Sequence, residues 1–299
     1  MTIITVENAR VPNESLPVSR FLVALTGALV IAVAAQPAPR WLLMWSLAVC
    51  IFFTCKWLTV RKISASADGR ALGYLLAWPG MDPAPFLNPS RVVAAPRGRQ
   101  WLLACCETLF GAVLLWPTAG QVGPQRPLVA GWIAMIGLIF LLHFGLFHLV
   151  ALWWRSNGVD AQPIMRAPIL SRSLAEFWSM RWNTAFRSLT YRFVYQPLHR
   201  RIGVAGATLV VFLVSGSVHD LVISVPAGGG YGLPTAYFLI QALGVLFERS
   251  TLGKRLGLRR GAPGQLYTAA IITLPVGILF HQPFVIEVIL PFADAIGAF

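Results

Sequence analysis

Apolar residues along this chain come in long runs, not in stripes of period 3.6 or 2. The clear runs cover 21–35, 41–60, 101–117, 128–154, 202–225, 231–247 and 267–280, and a last apolar piece covers 283–299. A membrane-crossing helix needs about 20 predominantly apolar residues, with a lower limit near 17. Several runs reach that length, and the shorter ones can borrow flanking residues. In lipid, helices and closed barrels alone satisfy the backbone. The alternating segments of about ten residues that a barrel requires are not seen. The pattern predicts an all-α integral membrane protein, polytopic, with seven to eight transmembrane helices in a single membrane domain spanning 1–299. Composition agrees: the chain is 57% hydrophobic and 12% charged, against about 25% charged in soluble domains.

The net charge of +13 changes the picture only through its distribution. Arg61, Lys62, Arg70, Arg91, Arg97 and Arg99 lie between the second and third runs. Arg155, Arg166, Arg172, Arg181, Arg187, Arg192, Arg200 and Arg201 lie between the fourth and fifth. Arg249, Lys254, Arg255, Arg259 and Arg260 follow the sixth, while the alternate connections carry Arg40, then Arg126, then no basic residue. Basic and bare loops alternate as the positive-inside rule requires. The basic loops and the N-terminus are therefore expected in the cytoplasm. The charge marks topology, and no nucleic-acid partner is expected. The first twenty residues hold Glu7 and Glu14 and no cleavage pattern, so the first run reads as an uncleaved anchor. Cys50, Cys55, Cys105 and Cys106 all sit inside apolar runs. Neither a disulfide framework nor a metal site is expected of them.

Two long basic loops organise the rest: a Pro-rich one at 61–100 within the N-terminal helices of 1–154, and one at 155–201 that opens the portion 155–299. The first contains GYLLAWPGMDPAPFLNP, whose prolines and glycines break any long helix. It reads as a proline-kinked wall, with cavity lining as the alternative. In the second, Ser173 and Glu176 form the S-x-x-E pattern of a capping box, so a helix is expected to start there and to end before Pro197. Leu174, the pair Phe177 and Trp178, Trp182, Phe186, Leu189 and Phe193 recur every three or four residues, which makes one apolar face. A basic, Trp- and Tyr-rich amphipathic helix has the composition of a segment lying at the membrane interface.

The stretch VVFLVSGSVHDLVISV, 210–225, places His219 and Asp220 near the end of an apolar run. Ionisable groups at membrane depth are costly and rare, and they mark function by default. EFWSMRWN, then YRFVYQPL, then the run ending SGSVHD together resemble the wax-synthase-like branch of the membrane-bound O-acyltransferases. The resemblance is strongest over 173–250, with weaker support from GYLLAWPGM. One departure is Asp220, where plant members usually carry Glu. The resemblance implies a helical O-acyltransferase fold, with 155–299 as its catalytic portion and His219 and Asn183 as its functional residues. It implies an acyl-CoA donor, no bound cofactor, and a hydroxyl acceptor on an alcohol, sterol, lipid or other molecule. It also implies a multi-pass place in the cytoplasmic membrane of a bacterium or the endoplasmic reticulum of a eukaryote.

These residue types suit acyl transfer. Neutral His, with an unperturbed pKa near 6.5, is the usual base for removing a hydroxyl proton. Asn183 is expected to orient substrate or to donate a hydrogen bond to developing oxyanion charge. Arg181, Arg187 and Arg192 are candidates for the donor's phosphates, and Trp182 and Ser215 for further substrate contact. Ser215 lies four residues before His219, on the same helical face. Asp220 points about 100° away from His219 and reads as structural or acceptor-side. His143 and His148, five residues apart, are about 140° apart on a helix and cannot readily share a metal. His199 is expected among solvated arginines and His281 at a membrane boundary. Glu107 reads as an intramembrane carboxyl. The rival reading is a transporter or lipid-binding protein in which His219, Asp220 and Glu107 relay protons; such proteins are often built from repeats.

Overall fold

Each apolar run falls on helix in the computed structural model, which describes residues 17–61, 69–123 and 125–299. Glu7, Glu14 and Lys62 lie outside the described residues, and so do the N-terminal assignments built on 1–16. The chain opens with α1 (Pro17–Ala34) and α2 (Arg40–Val60), which pack on each other. Two short helices follow, α3 (Gly69–Leu76) and α4 (Pro83–Leu87). Next come the long helices α5 (Gly98–Val122) and α6 (Pro127–Ser156), each interrupted by a π-turn, at Leu114–Thr118 and Phe140–Leu146. The second half holds α7 (Leu174–Glu176), which runs on as a π-turn at Phe177–Arg181. It continues with α8 (Thr184–Ala227), α9 (Leu233–Arg249), α10 (Thr251–Arg255) and α11 (Gly261–Leu279). The chain closes with α12 (Gln282–Phe284), a π-turn at Val285–Ile289 and α13 (Leu290–Ala295).

No strand appears among the described residues. Among the described residues five helices, α2, α5, α6, α8 and α11, are long and apolar enough to cross a membrane, and Val18–Ala34 is a shorter apolar helix. The protein is thus an all-helical, polytopic membrane protein.

Local chemistry explains where these helices start, stop and meet. Asp82 caps α4 by accepting from the Ala84 N–H at 3.2 Å, with Pro83 in the first turn, the position where a missing N–H is harmless. Gly228 (φ 67°) closes α8 in the left-handed conformation, and Gly232 (φ 81°) precedes Pro234 at the start of α9. A Cβ at Gly111 or Gly137 would meet the facing backbone. The pair lets α5 and α6 approach as closely as small-residue contacts between membrane helices allow.

Two corrections to the sequence reading matter for the site. The amphipathic segment is not one helix. It breaks at Trp182 (φ −94°, ψ 127°) and Asn183 (φ 39°, ψ 62°), then restarts at Thr184. Pro197 does not end the helix either. It follows the π-turn Tyr191–Tyr195, in the first turn of a segment that continues to Ala227. The true interruption is Gly203, with φ 72° and ψ 176°.

The apolar interior has two parts. One gathers Met44, Leu115, Phe212, Phe238 and Val288. The other gathers Val60, Tyr74, Trp78, Phe86, Ile164 and Met165. The second shows what the Pro-rich loop does. Tyr74 and Phe86 are fully buried, and Lys56 of α2 donates to the Gly80 carbonyl while its ammonium sits 3.5 Å from the Tyr74 ring centroid. The loop is a packed wall, and it also lines a small cavity of about 270 Å3 with Trp78, Met81 and Asp82.

Candidate functional site: a cavity between the Trp-rich strap and the His219 helix

Residues 174–183 form a strap across α8 and α9. Ser173 Oγ accepts from the Glu176 N–H at 3.0 Å. The reciprocal half of the expected capping box is shifted by one residue, because the Glu176 carboxylate accepts from the Arg172 N–H at 2.8 Å. At the other end, the backbone is held by its neighbour segment. Arg166 N–H donates to the Arg181 carbonyl at 2.8 Å, and Thr184 N–H donates to the Ile164 carbonyl at 2.9 Å. This cross-pairing turns the chain at Asn183 into the left-handed region, which Asn tolerates better than most residues.

The strap, α2, α8 and α9 enclose a cavity of about 510 Å3. Asn183 and His219 both line it, as do Trp178, Trp182, Arg187 and Ser215. Residues 36 positions apart in sequence thus share one chamber. On the part of α8 beyond the Gly203 break the lining runs from Thr208 to Val222, a length of about 20 Å at 1.5 Å per residue. The wall is mostly apolar, with Ala48, Ile51, Val218 and Val222 among its residues.

The two polar groups are each half-used. His219 Nδ1 lies 2.7 Å from the Ser215 carbonyl oxygen. A carbonyl only accepts, so Nδ1 carries the proton and Nε2 keeps the lone pair of the neutral ring. The ring packs on Phe238 at a centroid distance of 4.4 Å. Asn183 Oδ1 accepts from the Phe186 N–H at 3.2 Å, capping α8. That bond fixes the amide's orientation and leaves its NH2 group as the free end. Ser215 contributes its carbonyl, not its hydroxyl, which donates back to Val211 O at 2.9 Å.

Of the arginines singled out from sequence, Arg187 lines the cavity and also the smaller one beside the Pro-rich loop. Its guanidinium lies over the Tyr191 ring, 5.3 Å from the centroid. Arg181 is a correction. It does not line the cavity, because its guanidinium is committed to the Glu176 carboxylate at 2.6 Å and to the Arg166 and Ala167 carbonyls. Arg192 is also absent from the lining and lies over Phe193. Sequence reasoning missed Arg249, which closes α9 and lines the cavity. Its place among basic loop residues gave no sign that it differs from them.

Burial pushes the Glu176 carboxyl up, but the Arg172 N–H and the Arg181 guanidinium outweigh it and hold the group below the usual carboxylate range.

The proposed proton relay is not assembled. Asp220 accepts from the Gly232 N–H (2.8 Å), the Thr235 N–H (3.0 Å), the Thr235 hydroxyl and the Ser224 hydroxyl (2.9 Å). Glu107 pairs instead with His148, at 3.4 Å. His281 is buried; its Nδ1 accepts from the Phe284 N–H, so its Nε2 faces the Ser224 hydroxyl as a donor at 3.2 Å. His143 packs on Phe147. His199 stacks on Tyr195 and lies 2.9 Å from the Gln196 carbonyl.

Residues 161–240, which hold the strap, Asn183 and His219, match the family model described as Membrane bound O-acyl transferase family. The chain is 32% identical to a long-chain-alcohol O-fatty-acyltransferase of Simmondsia chinensis over 136 residues, which is 41% of this chain and 38% of that protein. It is 27% identical to a probable long-chain-alcohol O-fatty-acyltransferase 9 of Arabidopsis thaliana over 190 residues, 59% of this chain and 55% of that one. A third relative, probable long-chain-alcohol O-fatty-acyltransferase 3 of Arabidopsis thaliana, is 29% identical over 60% of this chain and 56% of its own length. The chain thus spans about half the length, or less, of the curated relatives it matches. Over that span it is similar to membrane-bound O-acyltransferases of the wax-synthase-like branch.

Proposed function

We propose that this protein is a membrane O-acyltransferase that moves an acyl group from a thioester donor of the acyl-CoA class to a hydroxyl acceptor. The observation that carries the reading is the shared cavity, in which His219 offers Nε2 and Asn183 offers its amide NH2. The acceptor O–H gives its proton to Nε2 as its oxygen attacks the thioester carbonyl. The Asn183 NH2 donates to the oxyanion of the tetrahedral intermediate. Collapse breaks the C–S bond, and the thiolate takes the proton from the imidazolium. Ester and free thiol leave, and the ring is neutral again. A positioned base is worth about 10²–10⁴-fold, and one oxyanion donor about 10²–10³-fold.

The donor class rests on charge and length. Arg187 and Arg249 are the guanidiniums of the cavity lining. Phe238, beside His219, lies eleven residues before Arg249 on α9, about 16 Å along the axis. A donor with an anionic head and a thioester at the end of an extended arm matches that separation. The apolar wall beyond His219 suits an aliphatic acyl chain or a long-chain alcohol.

Seven to eight spans follow if α1, α9 and the C-terminal helices cross with the five longer ones. The alternation of basic and bare loops then sets the basic loops, the Arg187–Arg249 end of the cavity and the N-terminus in the cytoplasm. The test is incubation of membranes containing the protein with labelled acyl-CoAs and a panel of alcohols, followed by mass spectrometry of the products. Ester formation that requires both substrates is the expected result. Its absence across acyl chain lengths and alcohol classes would overturn the reading.

A further inference from the structure

Four residues of α9 form one stripe at helical spacing: Phe238, Gln241, Val245 and Glu248, separated by three, four and three positions. Each meets the site or the strap that carries half of it. Phe238 packs on the His219 ring at 4.4 Å, and Val245 lines the cavity. Gln241 and Glu248 are fully buried polar residues, and each has a partner in the strap. Glu248 Oε2 accepts from the Leu174 N–H at 2.6 Å and from the Ala175 N–H at 3.4 Å. Gln241 Nε2 donates to the Ile271 carbonyl of α11 at 2.8 Å, which turns its Oε1 toward the Trp178 indole N–H at 3.4 Å. The Trp178 ring in turn lies between Phe212 and Phe238, 5.6 Å from each.

We propose that Gln241 and Glu248 are positioning residues that dock the 174–183 strap onto α9 and so set the gap between Asn183 and His219; this rests on the acyltransferase reading above. His219 and Asn183 do not touch α9 with the same element. One is held by Phe238, the other by way of Trp178 and the strap's first turn. A single helix, Leu233–Arg249, therefore references both halves of the site to one axis. A buried carboxylate without full compensation is costly, and Glu248 Oε1 has no hydrogen-bond partner. Apolar packing alone would hold the strap down without that cost. The carboxylate adds what packing lacks, a fixed direction and register for the first turn of the strap.

The test uses the full-length protein in detergent micelles or lipid nanodiscs. Hydrogen–deuterium exchange of 174–183 is measured beside turnover per folded molecule, for wild type, Glu248→Ala, Glu248→Gln and Gln241→Leu. Glu248→Ala raises strap exchange about tenfold or more, leaves peptides of 207–219 unchanged, and lowers kcat by about 10²-fold with a smaller change in KM, as a misplacement near 1 Å does. Glu248→Gln keeps an acceptor oxygen for Leu174 and restores most of both. Gln241→Leu frees the Trp178 indole and repeats the effect in smaller measure, and it carries the test alone if Glu248→Ala does not accumulate. Unchanged strap exchange in the alanine and leucine variants overturns the docking. Raised exchange with unchanged kcat overturns the link to reaction geometry. If wild type transfers no acyl group from any donor, the acyltransferase reading falls, and exchange still decides whether α9 docks the strap.

Discussion

His219 and Asp220 are neighbours on α8, yet they end in opposite circumstances. Asp220 takes donors from Ser224, Gly232 and Thr235, so the turn between α8 and α9 closes around it. His219 has one bond, to a carbonyl of its own helix, and its other nitrogen is left to the cavity. A polar group at membrane depth must be satisfied or used. Four donors on one carboxylate make a clamp; a ring with a spare lone pair in a chamber is free to serve as the proposed base. The same contrast separates Arg181, spent on Glu176 and two carbonyls, from Arg187, which has no ion pair among the described residues. Saturation of hydrogen-bonding capacity, more than burial or charge, tells the two kinds of residue apart.

The sharpest way to break this comparison is His219→Ala. Turnover per inserted molecule is expected to fall by about 10²–10⁴-fold, while stability falls by only about 1–3 kcal/mol. The measurement is ester formation normalised to folded protein, with His143→Ala as the companion that keeps its activity. Near-normal turnover in His219→Ala would sink the general-base assignment.

Asn183 allows its two jobs to be separated. Asn183→Asp keeps an oxygen for the Phe186 N–H and loses the NH2 donors. Turnover is expected to drop about 10²–10³-fold with little loss of stability. Asn183→Gly keeps the left-handed backbone and loses both side-chain roles; it should match the aspartate variant in turnover. Asn183→Ala adds backbone strain of about 1–2 kcal/mol to a lost cap, so it should be the least stable of the three. Kinetics together with thermal unfolding decide this. An aspartate variant with wild-type turnover would remove the oxyanion role and leave only the cap.

Much of this was legible in the sequence. The apolar runs predicted the helices because the bilayer accepts few other backbones, and the order of WN, then SGSVHD, singled out Asn183 and His219, which line one cavity. What was not legible depends on contacts distant in sequence. Apolar periodicity continues across Trp182 and Asn183, and only the bonds to Ile164 and Arg166 reveal that the helix turns there. Pro197 looks like a terminator by its residue type, but it follows a π-turn where the regular ladder is already interrupted. Arg249 sits 66 positions from Asn183, and the folding of α9 alone brings it to the cavity.

Asp220 supplies the opposite test, with a large structural effect and a small chemical one. Asp220→Asn puts an NH2 group among N–H and O–H donors, so stability should fall by about 1–3 kcal/mol. Turnover per folded molecule should stay within a few-fold of wild type, because the carboxylate faces the α8–α9 turn. Chemical or thermal unfolding is compared with ester formation for the same preparation. A collapse of turnover in well-folded Asp220→Asn would place this residue in the chemistry and erase the distinction between the neighbours.

The smallest effect concerns Glu176, whose carboxylate ties Arg181 to the strap. Both side chains are about a quarter exposed, so the pair is worth at most about 1 kcal/mol. Its pH dependence has a definite sign. The folded pKa lies below the unfolded one, so the unfolded chain binds the proton more readily. The stabilisation is fully present above the unfolded value, about 4.3 for Glu, and is lost as pH falls through the folded value. Thermal unfolding of wild type and Glu176→Gln should therefore differ by a degree or a few at neutral pH, and the two curves should converge in acid. Because Arg181 lies off the cavity, the substitution should leave turnover at neutral pH close to wild type. A gap in melting temperature that persists unchanged into acid would mean that Glu176 acts through packing and not through its charge. A gap that converges while turnover collapses would return Arg181 to the list of groups that meet substrate.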